Sequence, residues 1–193
     1  MPFIYLIFAH LAADFILQPA ELIKWKYRNW RGVAFHAVIH LLFYFTVFFA
    51  YLPDWKVISV LTGLAVAHFV IDTVKVKKES GAKSFVGTFF IDQLIHGITI
   101  AIAGWLMLDR VPHFEDNQII QSVYGDFYLA IGLCLLILVS YAMEVAKFQF
   151  VRKTVGEARF KPNYKSMAKR VLLFSIIYAV ILLFSYYRTA ALG

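Results

Sequence analysis

The chain has 193 residues, 61% of them hydrophobic and only 16% charged, against about 45–50% and about 25% in soluble domains. With a mean hydropathy of +0.70, this excludes a disordered chain, a coiled coil and an ordinary soluble domain. The formal net charge of +7 reads first as membrane topology, not nucleic-acid binding. The lone Cys134 excludes an intrachain disulfide and a multi-cysteine metal site.

A helix needs about 20 mostly apolar residues to cross a bilayer core. Along the chain, six stretches approach that length, at roughly 2–19, 32–52, 55–76, 84–108, 127–146 and 171–187. The first is not expected to be a cleavable signal peptide, because it lacks a basic start and His10 and Asp14 interrupt its apolar run. The first loop is basic, with Lys24, Lys26, Arg28 and Arg31, and so is the third, with Lys75, Lys77, Lys78 and Lys83. The fifth runs basic from Lys147 to Arg170. The second holds only Asp54 and Lys56, and the fourth is acidic, with Asp109, Glu115, Asp116 and Asp126 against Arg110. The positive-inside rule then puts loops one, three and five in the cytoplasm and both termini outside. Segments 148–160 and 114–124 read as amphipathic helices on the inner and outer surface.

The expected fold is therefore all-α: a polytopic membrane protein of about six transmembrane helices, one transmembrane domain over 1–193. Residues 1–108 form a four-helix motif-bearing core. Residues 109–193 supply an acidic outer loop, two buttressing helices and a basic cytoplasmic loop.

Ionisable residues inside membrane helices are costly and mark function. Here each of the first four helices carries one pair: His10 and Asp14, His36 and His40, His68 and Asp72, Asp92 and His96. Every pair is spaced i, i+4 and so shares one helix face. Counted from the cytoplasmic ends, all eight groups fall in the inner half of the bilayer. Ala9-His10-xxx-Asp14 recurs as Ala67-His68-xxx-Asp72, and the pair at 36 and 40 recurs at 92 and 96. Two duplicated hairpins with a polar layer between them would give this pattern.

Imidazole and carboxylate are ligands for zinc, iron and manganese. All eight residues are candidate metal ligands for one or two divalent transition-metal ions, with zinc first and iron or manganese as alternatives. Asp14, Asp72 and Asp92 are also candidate catalytic bases. Gln18, Lys75 and Gln93 extend the polar stripe as candidate substrate-binding residues. Lys75 could pair with Asp72 or bind a substrate phosphate, against the plainer reading of a snorkelling lysine. Glu144 beside Lys147 reads as a boundary pair.

The motifs HLAADFILQ (10–18), HAVIH (36–40), HFVIDTVK (68–75) and DQLIH (92–96) resemble the bacterial membrane family catalogued as Domain of Unknown Function 3307. The resemblance covers about residues 3–100, in order, and implies a bacterial inner (cytoplasmic) membrane location without an established activity. A weaker similarity, with a different motif order, is to bacterial inner-membrane metal-dependent hydrolases.

The expected function is an intramembrane metal-dependent hydrolase acting on a lipid or lipid-linked ester at the cytoplasmic leaflet. The alternatives are a di-iron membrane oxidase or hydroxylase, a metal-ion or proton transporter, and a purely structural polar core. Membrane lipids are the expected partners, and a homo-oligomer is compatible with the sequence.

Overall fold

The structure, a computed structural model, describes residues 2–79, 85–113, 117–155 and 161–192. Helices supply its regular structure, and no strand occurs among the described residues.

Helix α1 (Pro2–Phe15) opens on a proline, whose missing N–H is tolerated in a first turn. Pro19 restricts the residue before it and closes this run. Helix α2 (Ala20–Arg28) starts at once, at 83° to α1. The expected first span at 2–19 is thus a 14-residue helix followed by a bend. At about 1.5 Å per residue, α1 alone is shorter than a hydrocarbon core of about 30 Å. In α2, Leu22 and Lys26 lie one turn apart and are buried, and the other side chains are half-buried or exposed.

Helix α3 (Trp30–Val47) is capped by Asn29, whose side chain accepts from the Arg31 N–H at 2.9 Å. A 3₁₀ turn (Phe49–Tyr51) leads into α4 (Trp55–Glu79), and α5 (Phe85–Leu106) follows. Helix α6 (Gln118–Gly125) is capped by Asn117 and matches most of the surface helix expected at 114–124, residues 114–116 lying outside the described chain. Helix α7 (Phe127–Ile137) runs through a π-helical turn (Leu138–Ala142) into α8 (Met143–Val155). The separate helix expected at 148–160 is therefore a continuation of the preceding span as far as Val155, and residues 156–160 lie outside the described chain. Helix α9 (Tyr164–Leu192) extends past the expected 171–187 at both ends.

Five helices are long and apolar enough to cross a membrane, and the bent α1–α2 pair makes a sixth candidate. Helix α1 packs against α3, α5 and α7, and α4 lies against α3 and α5. One end of the bundle is plugged by Leu6, Tyr44, Phe48, Leu61, Met107 and Tyr124. The plug draws on the starts of α1 and α4 and the ends of α3 and α5, so these helices alternate in direction. The outer surface is apolar: Leu94, Trp105 and Leu172 are 64%, 70% and 63% exposed, whereas His36 and His40 are fully buried. Apolar outside and ionisable inside is the pattern of a bundle solvated by lipid. The chain is a polytopic membrane protein.

A π turn displaces backbone carbonyls from their usual partners, and here Arg170 of α9 supplies donors. Its guanidinium donates to the carbonyls of Val139 at 2.7 Å and Ser140 at 3.3 Å, and to the Glu144 carboxylate at 2.8 Å. Glu144 also accepts from Lys147 at 3.3 Å and from the Asn163 N–H at 3.0 Å. Those partners tie α8 to α9 and stand on neither α1, α3, α4 nor α5.

Candidate metal centre

The eight paired residues of α1, α3, α4 and α5 meet between the apolar plug and α2. Within three of the helices the pair closes on itself across one turn: His10 Nε2 to Asp14 at 3.4 Å, His68 Nε2 to Asp72 at 3.5 Å, His96 Nε2 to Asp92 at 3.4 Å. The imidazoles pack on one another, with ring centroids 3.7 Å apart for His40 and His68 and 4.4 Å for the stacked His68 and His96.

Asp14 Oδ1 is the hub of the first ligand set. It lies 3.0 Å from His36 Nε2, 3.1 Å from His40 Nε2 and 3.8 Å from His68 Nε2, and the His36 and His40 Nε2 atoms are 3.2 Å apart. A tetrahedral shell with bonds of 2.0–2.1 Å has edges of about 3.3–3.4 Å, close to these separations. A second set joins His68, Asp72 and His96, and in each set the ligand atoms lie within 4.8 Å of one another. These buried His and Asp groups could hold a metal ion.

Hydrogen bonding alone satisfies the cluster poorly. His36 Nε2 faces Asp14 Oδ1, His40 Nε2 and the Gln18 amide at 2.9–3.2 Å, yet an imidazole nitrogen carries at most one hydrogen. Among the described residues, His10 Nε2 and both ring nitrogens of His68 and His96 are buried without a hydrogen-bond partner. Such atoms are normally paired, and a cation among the Nε2 atoms, which face the carboxylates, would take up one lone pair from each imidazole. Among the described residues the Nδ1 atoms of His36 and His40 also lack hydrogen-bond partners, and their rings pack against those of neighbouring histidines.

Two lysines enter the cluster. Lys75 Nζ donates to Asp92 Oδ2 at 2.6 Å, not to Asp72. Asp72 instead pairs with Lys26, which reaches in from α2 and is itself buried. Asp14, among the described residues, has only histidines as ion-pair partners. Of the other candidate substrate-binding residues, Gln18 contacts His36, and Gln93 donates to Asp92 at 3.3 Å.

A family model described as "Protein of unknown function (DUF3307)" matches residues 2–120. The chain belongs to the DUF3307 family. No curated protein and no solved structure matches it. The DUF3307 match takes in α1–α5, and with them every residue of both ligand sets.

Lys26 is the member of the cluster that sequence reasoning missed. It read as one more positive charge of a cytoplasmic loop. The available signal was its place one turn after Leu22 in a short amphipathic segment, which puts both on the same face.

Proposed function

We propose that this protein is an intramembrane metal-dependent hydrolase acting on a lipid or lipid-linked ester from the cytoplasmic leaflet. The observation that carries the reading is the Asp14, His36, His40 and His68 set, whose ligand atoms stand near the edges of a tetrahedral zinc shell while buried in a membrane bundle. A bound zinc ion would polarise a phosphoryl or acyl oxygen and acidify a water.

The chain's own residues supply the rest. Asp72, facing His68, His96 and Lys26, is the carboxylate outside the first set that stands nearest to it, and acts as the base. Lys75, with its side chain 22% exposed, holds Asp92 and presents positive charge toward an incoming headgroup. The basic loops support a cytoplasmic mouth on the α2 side and, with six spans, both termini outside an inner (cytoplasmic) membrane. The apolar plug supports an enzyme over a transport pathway, which would need polar groups across the full depth.

A second reading, a di-iron oxidase or hydroxylase, draws on the presence of two adjacent ligand sets, one around Asp14 and one around Asp72. Elemental analysis of detergent-purified, chelator-free protein, with a lipid extract assayed alongside, separates the readings. Stoichiometric zinc with ester cleavage is expected, and zinc loss in His68→Ala. Iron with oxygen-dependent turnover would favour the second reading. No bound metal, together with wild-type behaviour of His68→Ala in cells, would leave a structural polar core as the better account.

A further inference from the structure

The proposed function leaves the number of ions open, and the placement of Lys26 bears on it. The two ligand sets share His68. A neutral imidazole has one lone pair to give, so an ion in the first set takes His68 and leaves a second ion Asp72, His96 and the Asp92 Oδ1 that lies 3.4 Å from His96 Nε2. Of these two carboxylates, Asp92 is held by Lys75, and the Lys26 ammonium already sits on Asp72.

Lys26 is held there by the fold, not by the flexibility of its own chain. A Cβ at Gly32, in the first turn of α3, would stand 2.6 Å from both the Lys26 backbone N and the Trp25 backbone C. Glycine at this position is what lets α2 lie directly on α3. On the neighbouring turn face, the Tyr27 hydroxyl donates to the buried Glu79 carboxylate at the end of α4. Helix α2 is thus anchored to both flanking helices, with Lys26 directed at Asp72 between them.

We infer that Lys26 stands in place of a second divalent ion and makes the centre mononuclear; the inference rests on the metal reading above. Charge supports it. Three aspartates, two lysine ammoniums and one divalent ion leave a single net positive charge in the cluster. A second divalent ion would raise that to three in a buried, lipid-surrounded site, where uncompensated charge is strongly disfavoured. Lys26 therefore acts as a specificity-determining residue for metal loading: it neutralises Asp72 and denies the position to a second ion.

The test is zinc stoichiometry, by elemental analysis and calorimetric titration of detergent-purified full chains that elute as single species on gel filtration. Wild type is expected to saturate at one ion per chain and Lys26→Arg likewise. Lys26→Met frees Asp72 and is expected to take a second ion. The double variant Lys26→Met, Asp72→Asn, which removes the pair together, is expected to return to one. His36→Ala loses the ion, whereas His96→Ala keeps it, and this contrast decides the matter even if Lys26→Met fails to fold. Two ions in wild type, one ion in a folded Lys26→Met, or loss of the ion in His96→Ala would overturn the inference. No ion in wild type would instead be a failure of the metal reading itself.

Discussion

Lys75 and Asp92 show what a single ion pair is worth at this depth. Asp92 is 4% exposed and its close cationic partner is Lys75, at 2.6 Å. Removing one partner of a buried pair strands the other charge and typically costs about 3–5 kcal/mol. Since the Lys75 side chain is 22% exposed, Lys75→Met is expected to destabilise by about 2–3 kcal/mol. The double variant Lys75→Met, Asp92→Asn should recover most of that. Thermal midpoints of the four proteins in detergent form the cycle; a double variant no more stable than Lys75→Met would mean that the pair is not the source of the loss.

Among the elements, α2 depends most on one small residue. In Gly32→Ala the added methyl meets backbone atoms of Trp25 and Lys26, which cannot rotate away, so α2 must shift. A loss of about 1–3 kcal/mol is expected, with Lys26 becoming reactive to an amine label read by mass spectrometry. Gly63→Ala, where a Cβ has nothing within 4 Å, is the matched control and should be neutral or slightly stabilising, as alanine is the better helix former. An unlabelled Lys26 in Gly32→Ala would count against the tight α2–α3 contact.

The connection after α5 carries a different kind of contact. Arg110, and then Lys56, hydrogen-bond the Asp109 carboxylate and hold it well below the ordinary carboxylate range. A carboxyl depressed in the folded state stabilises above its unfolded pKa, about 3.9, and that contribution fades as pH falls through the folded value. The difference in thermal midpoint between wild type and Asp109→Asn should therefore be present at neutral pH and shrink in acid below about pH 4. The group is solvent-exposed, so raising the salt concentration should shrink it too.

At the scale of the molecule, the crossing of the bent α1–α2 pair sets the topology. If α1 and the bent α2 cross together, six spans put both termini on one side of the membrane; if only the five long helices cross, the termini part. Reporters fused at the two ends and read on each side of the membrane distinguish these cases. The alternation of basic and acidic loops predicts both ends outside. A reporter after Gly193 that is active only in the cytoplasm would contradict that.

The membrane class, the helical fold and the four i, i+4 pairs were legible in the sequence, because each is a local or periodic property. Twenty apolar residues in a row admit few soluble structures, and a spacing of i, i+4 puts His10 with Asp14 or Asp92 with His96 on one face whatever the helix packs against. The continuous run from α7 into α8 was not legible, since residues after 146 turn basic and amphipathic while the backbone stays helical through a π turn stitched by Arg170. Nor was the pairing of cations with carboxylates. Lys26 on Asp72 and Lys75 on Asp92 join α2 to α4 and α4 to α5. Sequence supplied the apolar spans and the polar faces. The tertiary structure alone decided which face meets which and which charge neutralises which, because a contact between helices depends on their separation, direction and rotation, and no local periodicity encodes those.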